Sequence, residues 1–157
     1  MRSFVERLAE EARALSGGRH RIETAFDADR QLLGSPKELH SAFSNLVSNA
    51  VRYTSEGGMV RLAWRAGDEG AVFTVSDTGI GIEPRHIPRL TERFYRVDSG
   101  RSRDTGGTGL GLAIVKHALT RHQAVLRIAS EPGRGSSFSV VFPPGRILPS
   151  GRAEAAA

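Results

Sequence analysis

SPKELHSAFSNLVSNAVRY, residues 35–53, has the pattern of a long amphipathic helix. Ser35 and Glu38 match a capping box, and Pro36 occupies the first helical position, so the helix is predicted to begin there. Apolar residues recur at helical spacing and predict a buried stripe of Leu39, Ala42, Phe43, Leu46, Val47 and Ala50. A neighbouring polar face carries Asn45, Asn49, Arg52 and Tyr53. Asparagine is a poor interior helix former, so two of them one turn apart indicate a binding site, with a plain solvated face as the alternative.

The rest of the chain predicts strands and helices that would form two layers with this helix. Strands are predicted at residues 21–26, 31–33, 60–65, 71–76, 125–129 and 137–142. Further helices are predicted at residues 3–15, 83–93 and about 109–122. This order favours an α/β fold of the α+β two-layer sandwich type, with a mixed, mostly antiparallel sheet and helices on one face.

Length and composition exclude several other classes of protein. The 157 residues match one domain, which we expect to comprise an N-terminal helix or linker at 1–18, a main body at 19–143 and a flexible tail at 144–157. The absence of cysteine excludes a disulfide scaffold and a thiolate zinc site. The net charge is +5, but the arginines are scattered among 17 acidic residues. We therefore expect no nucleic-acid partner. No apolar stretch approaches the length of a membrane span, so we also expect no membrane contact, and we expect the isolated domain to be a monomer.

Three glycine clusters lie at residues 77–82, 106–112 and 133–135. The middle cluster precedes a predicted helix, where free N–H groups and the helix dipole favour a phosphate, although a simple helix cap would also explain it. No Lys-Ser or Lys-Thr pair follows, so the cluster is not a Walker loop. Asp77 follows a predicted buried strand and could accept a hydrogen bond from the amino group of an adenine, or it could cap a turn.

Five short segments follow one another along the chain in a recognisable order. They are NLVSNAVRYT at residues 45–54, DTGIGI at 77–82, ERFYRVD at 92–98, GTGLGL at 107–112 and GRGSSF at 133–138. These segments resemble the N, G1, F and G2 boxes and the terminal G-x-G-[ST]-x-F motif of the catalytic, ATP-binding domain of sensor histidine kinases, above all phosphate-regulon sensor kinases. That domain belongs to a wider ATPase group with gyrase, HSP90 and MutL. The resemblance implies the Bergerat ATP-binding fold, with ATP and Mg²⁺ as cofactors.

The resemblance also implies roles at the phosphate end of the nucleotide. Asn49 would ligate Mg²⁺ with Asn45 beside it, Arg52 would contact phosphate, and Arg96 would join the two asparagines as the catalytic set. The whole ATP-binding set implied in this way is Asn45, Asn49, Arg52, Tyr53, Asp77, Gly79, Gly81, Ile82, Tyr95, Arg96, Gly107, Thr108, Gly109, Leu110, Gly111 and Ser137.

At the base end, the resemblance implies that Tyr53 lies along the adenine and that Asp77 binds its amino group. Ser137 would support Asp77 through a water molecule. One departure from the family pattern is His122-Gln123-Ala124, where many members have His-Gly-Gly, so the local backbone could differ there.

The resemblance finally implies transfer of the γ-phosphoryl group instead of ATP hydrolysis. The gyrase-like branch has a glutamate base one turn before the magnesium asparagine, where this chain has Asn45. None of the five histidines fits the acceptor pattern, so the acceptor would lie on an upstream dimerisation domain, with a response regulator as an indirect partner. We expect a cytoplasmic domain of a longer kinase anchored in the inner membrane. The open alternatives are an anti-sigma-type serine protein kinase and a non-catalytic nucleotide- or nucleic-acid-binding module.

Overall fold

One five-stranded sheet and three α-helices are formed by residues 1–27, 29–97 and 107–148, which the computed structural model describes. The helices are α1 (Arg2–Ser16), α2 (Pro36–Tyr53) and α3 (Gly111–Arg121). The strands are β1 (Arg21–Phe26), β2 (Met59–Gly67), β3 (Gly70–Asp77), β4 (Val125–Glu131) and β5 (Gly135–Phe142). The sheet order is β1-β2-β3-β5-β4, and only the β1–β2 pair is parallel. The predicted two-layer fold with a mixed, mostly antiparallel sheet is confirmed.

The core lies between one face of the sheet and the helices. Trp64, Phe73 and Val140 occupy one row across β2, β3 and β5, and all three are fully buried. Helix α2 crosses this face, and its Phe43 stacks on Phe73 with the ring centroids 4.0 Å apart. Every residue of the predicted α2 stripe is buried. The amphipathic pattern therefore determines which face of α2 meets the sheet.

The opposite face of the sheet is polar and open to solvent. Thr74 of β3 and Ser139 of β5 share a hydrogen bond of 3.1 Å on this face, and Arg61 of β2 is exposed there. Side chains alternate between the two faces along each strand, so buried residues alternate with solvent-facing residues in the sequence.

Helix α1 packs into the same core as the sheet. Its buried apolar residues are Val5, Leu8, Ala9 and Ala12. Gly17 ends the helix in the left-handed conformation, with φ 57°. The segment predicted as a helix or a linker is thus a packed helix. Within the described parts of the chain, no helix combines the length and apolar character needed to cross a membrane.

Two predicted elements are shorter than expected. In place of the helix predicted at 83–93, the structure has one 3-10 turn at Ile87–Arg89, because Pro88 supplies no backbone donor for a longer helix. In place of the strand predicted at 31–33, a single bridge joins Leu32 to Ile147. Helix α3 begins at Gly111, because Gly109 has φ 73° and lies outside the helical region.

The turn at residues 122–124 has a backbone that suits glycine, although the chain has no glycine there. Gln123 adopts φ 55°, a left-handed conformation that glycine adopts more easily. The chain therefore leaves α3 through the kind of turn that glycine favours, although a glutamine occupies the position.

Residues 144–148 differ from the flexible tail predicted for 144–157. The N–H of Leu33 donates to the Arg146 carbonyl at 2.7 Å, and the N–H of Leu148 donates to the Gln31 carbonyl at 2.9 Å. Ile147 also packs against the core, and this apolar contact explains why the segment remains packed against the rest of the domain. Residues 149–157, and residues 98–106 of the loop predicted before α3, lie outside the described part of the chain.

Candidate functional site

Most of the predicted site residues lie on four segments that meet at one end of the sheet, whereas Tyr95 and Arg96 lie on the F-box segment. Glycines mark the contacts between these segments: a Cβ added to Gly79 would overlap the Tyr53 carbonyl, and one added to Gly135 would overlap the Asp77 carbonyl. A Cβ on Gly111 would lie 2.8 Å from Asn45 Oδ1. The end of α2, the loop after β3, the start of α3 and the start of β5 are therefore in direct contact.

Asn45 and Asn49 occupy successive turns of α2, as predicted. The Asn45 Nδ2 group donates to the Ser41 carbonyl at 2.7 Å, which leaves Oδ1 directed towards Gly111 at the start of α3. The Asn49 side chain forms no hydrogen bond with any described residue. The amide oxygens of Asn45 and Asn49 are thus available to a ligand at the side of α2 that meets α3. The Asn45 oxygen is held in place by the hydrogen bond of its Nδ2 group to Ser41.

Asp77 is the last residue of β3, and its carboxyl group is partly buried. Its Oδ1 accepts a hydrogen bond of 2.8 Å from the Gly79 N–H, which is an Asx turn. Burial raises the pKa of the Asp77 carboxyl above its ordinary value, and the backbone N–H groups of Gly79 and Ser136 offset part of that rise. The group therefore caps the turn and is also a strong acceptor for an amino group of a ligand.

A cationic cluster surrounds Gly107. A Cβ on Gly107 would lie 3.5 Å from Arg52 Nη1, 3.7 Å from Arg96 Nη2 and 3.9 Å from the Tyr53 hydroxyl. Arg52 and Tyr53 belong to the N box and Arg96 to the F box, so three motifs that are distant in sequence meet here. Two guanidinium groups near the N-terminus of α3 suit a phosphate group.

The residues between Gly107 and α3 connect this cluster to the F box. The Phe94 N–H donates to the Gly109 carbonyl at 2.9 Å, and a Cβ on Gly109 would lie 2.8 Å from the Phe94 Cα. Only glycine permits this close approach of two backbones. Thr108 Oγ1 accepts the Leu110 N–H at 3.4 Å, immediately before the first turn of α3.

Tyr95 lies in a separate cluster, although the sequence predicts it to bind the nucleotide. Its hydroxyl hydrogen-bonds His86 Nδ1, and the Arg89 guanidinium lies 4.4 Å from the centre of its ring. Arg89 also pairs with Glu92 at 3.2 Å. Through these contacts Tyr95 holds the 3-10 turn at Ile87–Arg89 in place, and its hydroxyl oxygen is already hydrogen-bonded.

Ser137 lies on the open face of the sheet, away from the Asp77 side chain. Its hydroxyl hydrogen-bonds Ser76 at 3.1 Å, whereas Ser136 is buried and pairs directly with Asp77 across β3 and β5. Side chains alternate along a strand, so only Ser136 shares the inner face with Asp77. The structure therefore places Ser136, and not the predicted Ser137, beside Asp77. The even spacing of Ser136 from the core residue Phe138 could have identified it in the sequence.

The turn between β4 and β5 supports the G1 loop, a role that sequence reasoning missed. The Ile82 N–H donates to Ser130 Oγ at 2.8 Å, and the Gly133 N–H donates to the Ile80 carbonyl at 2.8 Å. Gly81 has φ 71°, and a Cβ there would overlap the Glu131 carbonyl. No local pattern relates Ser130 to Ile82, since the two residues meet only through the tertiary fold.

Sequence comparisons agree with these motifs. A family model described as histidine kinase-, DNA gyrase B-, and HSP90-like ATPase matches residues 34–146. The phosphate regulon sensor protein PhoR of Pseudomonas aeruginosa is 56% identical over 151 residues, which are 96% of this chain and 34% of that protein. PhoR of Haemophilus influenzae is 42% identical over 91% of this chain and 34% of its own length. The chain thus spans about a third of the length of these two relatives.

Solved structures show the same architecture. The mycobacterial sensor histidine kinase MprB superposes with a TM-score of 0.80 and 32% identity, over 91% of this chain and 95% of that one. Full-length ShkA, solved in complex with AMPPNP, superposes with a TM-score of 0.78 and 29% identity, over 90% of this chain and 29% of that one. With the ordered motifs and the match over residues 34–146, these likenesses show that the chain belongs to the histidine kinase-, DNA gyrase B- and HSP90-like ATPase family, as the catalytic ATPase domain of a sensor histidine kinase.

Proposed function

We propose that this chain binds Mg·ATP and transfers the γ-phosphoryl group to a histidine on a separate dimerisation domain. The observation that carries the proposal is the convergence of Arg52, Arg96 and the Tyr53 hydroxyl on Gly107, close to the start of α3. This cluster would hold the phosphates, while Asp77 would accept a hydrogen from the adenine amino group at the other end of the site.

The residues around Asn49 fit a magnesium ion that is shared with a nucleotide. Within the described residues, no group of three His, Cys, Asp or Glu side chains could hold a metal. The amide oxygens of Asn45 and Asn49 are hard donors, and Mg²⁺ commonly takes one or two protein ligands together with waters and phosphate oxygens. When bound, the ion would neutralise phosphate charge.

The groups near the phosphates favour transfer to another nucleophile over activation of water. Asn45 holds an amide where a carboxylate base would be needed, and its Nδ2 already donates to the Ser41 carbonyl. An amide cannot take a proton from water, so positioning and charge neutralisation remain as the means of catalysis. In the transfer, an imidazole nitrogen would attack the γ-phosphorus, the bond to the bridging oxygen would break, and ADP would leave.

The histidines of the chain support an acceptor elsewhere. Most of them have structural contacts: His20 with the Thr54 carbonyl, His40 with Glu11, His86 with Tyr95, and buried His122 with Ala118 and Ser35. His117 is exposed on α3, on a regular helical turn without the sequence pattern of an acceptor. The proposal therefore places the acceptor on a dimerisation domain, with a response regulator as the next partner and the cytoplasm as the site of reaction.

Transfer of radiolabel from [γ-³²P]ATP tests this function. The chain would be mixed with the dimerisation domain of the Pseudomonas relative, and we expect a labelled phosphoprotein that is labile in acid and stable in alkali. Asn49→Ala should reduce labelling at least about tenfold, because it removes a phosphate-side ligand. Ser48→Ala is the control on the same helix and should label normally.

The other outcomes separate the alternatives. Acid-stable label would favour a serine protein kinase. Nucleotide binding without any labelling of the histidine domain would favour a non-catalytic module, and in both cases the proposed transfer to histidine would be rejected.

A further inference from the structure

The inner face of the sheet ends in a polar row. Asp77, Ser136 and Ser130 are direct neighbours across β3, β5 and β4. The next row inward, Val75, Phe138 and Ile128, is apolar. Because side chains at the same register point to the same face, all three polar groups point to the helix side, at the end of the sheet where the base would lie.

The hydrogen bonds of Ser130 determine which hydroxyl groups in this row donate a hydrogen and which accept one. Ser130 Oγ donates its single hydrogen to the Gly135 carbonyl at 3.0 Å and accepts the Ile82 N–H at 2.8 Å. It is also 2.8 Å from Ser136 Oγ. Either serine could donate in this pair on distance alone, but with the Ser130 hydrogen directed to the Gly135 carbonyl, Ser136 is the donor.

Ser136 can therefore only accept a hydrogen bond from a ligand and cannot donate one. With its hydrogen directed to Ser130, the Ser136 hydroxyl offers only lone pairs to anything beside it. The neighbouring Asp77 carboxylate, when ionised, is also acceptor-only. A ligand atom placed against this row has to be a donor, such as the 6-amino group of adenine, and a 6-carbonyl oxygen would meet only acceptors.

We propose that Ser130 is a positioning residue that sets base specificity, by holding the Ser136 hydroxyl as an acceptor and so disfavouring 6-oxopurine nucleotides. This inference rests on the proposed binding of ATP. Ser130 itself need not touch the nucleotide, because it acts through Ser136. The same hydroxyl fastens the G1 loop through Ile82, so base selection and the position of the loop depend on one side chain.

Titration calorimetry with ATP and with inosine triphosphate tests the inference. The inosine nucleotide differs from ATP only in its base, where a carbonyl and an N–H replace the amino group and ring nitrogen. We expect the intact chain to prefer ATP, and Ser130→Ala to reduce the ratio of the two affinities by about five- to tenfold, because Ser136 can then donate to the carbonyl. Ser130→Thr keeps the hydroxyl and should retain the original ratio.

The ratio is a useful readout because partial unfolding would lower both affinities by the same factor. Ser139→Ala is the matched control, since it removes a serine hydroxyl from a cross-strand pair on the open face, with Thr74, and should leave the ratio unchanged. Should Ser130→Ala fail to fold, Ser136→Ala deletes the oriented hydroxyl itself and should also relax selectivity.

Two results would overturn the inference while leaving the proposed function intact. One is an unchanged ratio in Ser130→Ala or, if that variant does not fold, in Ser136→Ala. The other is ATP binding by the intact chain with no preference over inosine triphosphate. Failure of the intact chain to bind either nucleotide would instead reject the proposed function, and this inference with it.

Discussion

Asp77 combines a cost to stability with the binding role proposed for it. Burial raises the pKa of its carboxyl above the ordinary value, in spite of the N–H groups of Gly79 and Ser136. The folded state therefore binds a proton more readily than the unfolded state. The stability contributed by this difference is complete below the unfolded pKa and is lost as the pH rises through the range up to the folded pKa. At neutral pH the ionised carboxylate thus opposes folding.

Asp77→Asn is expected to separate the two roles. The amide oxygen can still accept the Gly79 N–H, but it carries no charge to desolvate, so the melting temperature at pH 7 should be equal or higher. ATP affinity should fall by at least about tenfold, because the charged acceptor for the adenine amino group is lost. Thermal unfolding at several pH values and calorimetry with ATP measure the two effects.

A matched substitution controls for the loss of negative charge. Asp68 lies in the turn between β2 and β3, where its side chain is 93% exposed. Asp68→Asn should leave ATP affinity unchanged. A lower melting temperature in Asp77→Asn than in the unsubstituted chain at pH 7, or an unchanged affinity for ATP, would contradict the account of Asp77.

At the scale of elements, His122 fastens the end of α3 to the beginning of α2. The residue is 3% exposed, Nδ1 donates to the Ala118 carbonyl at 2.7 Å, and Nε2 accepts the Ser35 N–H at 3.0 Å. A Cβ on Gly34 would lie 2.6 Å from the ring, so the glycine makes room for the contact. This ring therefore helps to hold together α2, which carries the two asparagines, and α3, which begins at Gly111.

His122→Leu should lower the free energy of unfolding by about 1–3 kcal/mol, because the Ser35 N–H loses its partner in a part-buried place. Urea unfolding measures the change. His117→Leu replaces an exposed histidine of the same helix and should stay within about 0.5 kcal/mol of the unsubstituted chain. Equal losses in the two variants would show that His122 contributes no specific bond.

Elements with a strong repeating pattern were predictable, and those with competing local signals were not. Helix α2 was predictable because its cap, proline and apolar stripe agree. The segment from 83 to 93 has some helical character, but its prolines and its contacts with Tyr95 leave only the turn at Ile87–Arg89. Ser136 could have been placed by counting from Phe138, whereas nothing near Ser130 in the sequence points to Ile82.

At the scale of the whole molecule, nucleotide binding should raise stability, because the site joins both layers of the fold. ATP at about 100 times its dissociation constant adds about 2.7 kcal/mol to the free energy of unfolding. For a chain of this size that corresponds to a rise in melting temperature of about 5–10 °C. Thermal denaturation with ATP and Mg²⁺ measures it, and chelation of the metal should reduce the rise.

The rise in melting temperature should depend on the base of the nucleotide as well as on its phosphates. CTP carries the same triphosphate without a purine and should stabilise the chain less than ATP at the same concentration. Equal stabilisation by both nucleotides would show that Asp77 and its neighbours do not select the base, and no stabilisation by ATP would contradict the site as a whole.

Local periodicity and contiguous motifs are enough to predict the fold class, the face of α2 that is buried and the four boxes that contribute to the candidate site. Three other features could be read only from the folded chain: Arg52, Arg96 and Tyr53 surround Gly107, Ser136 and not Ser137 lies beside Asp77, and Ser130 contacts both Ser136 and Ile82. These pairings join residues that are far apart in the chain, and they form only when strand register and helix packing bring particular atoms within hydrogen-bond distance.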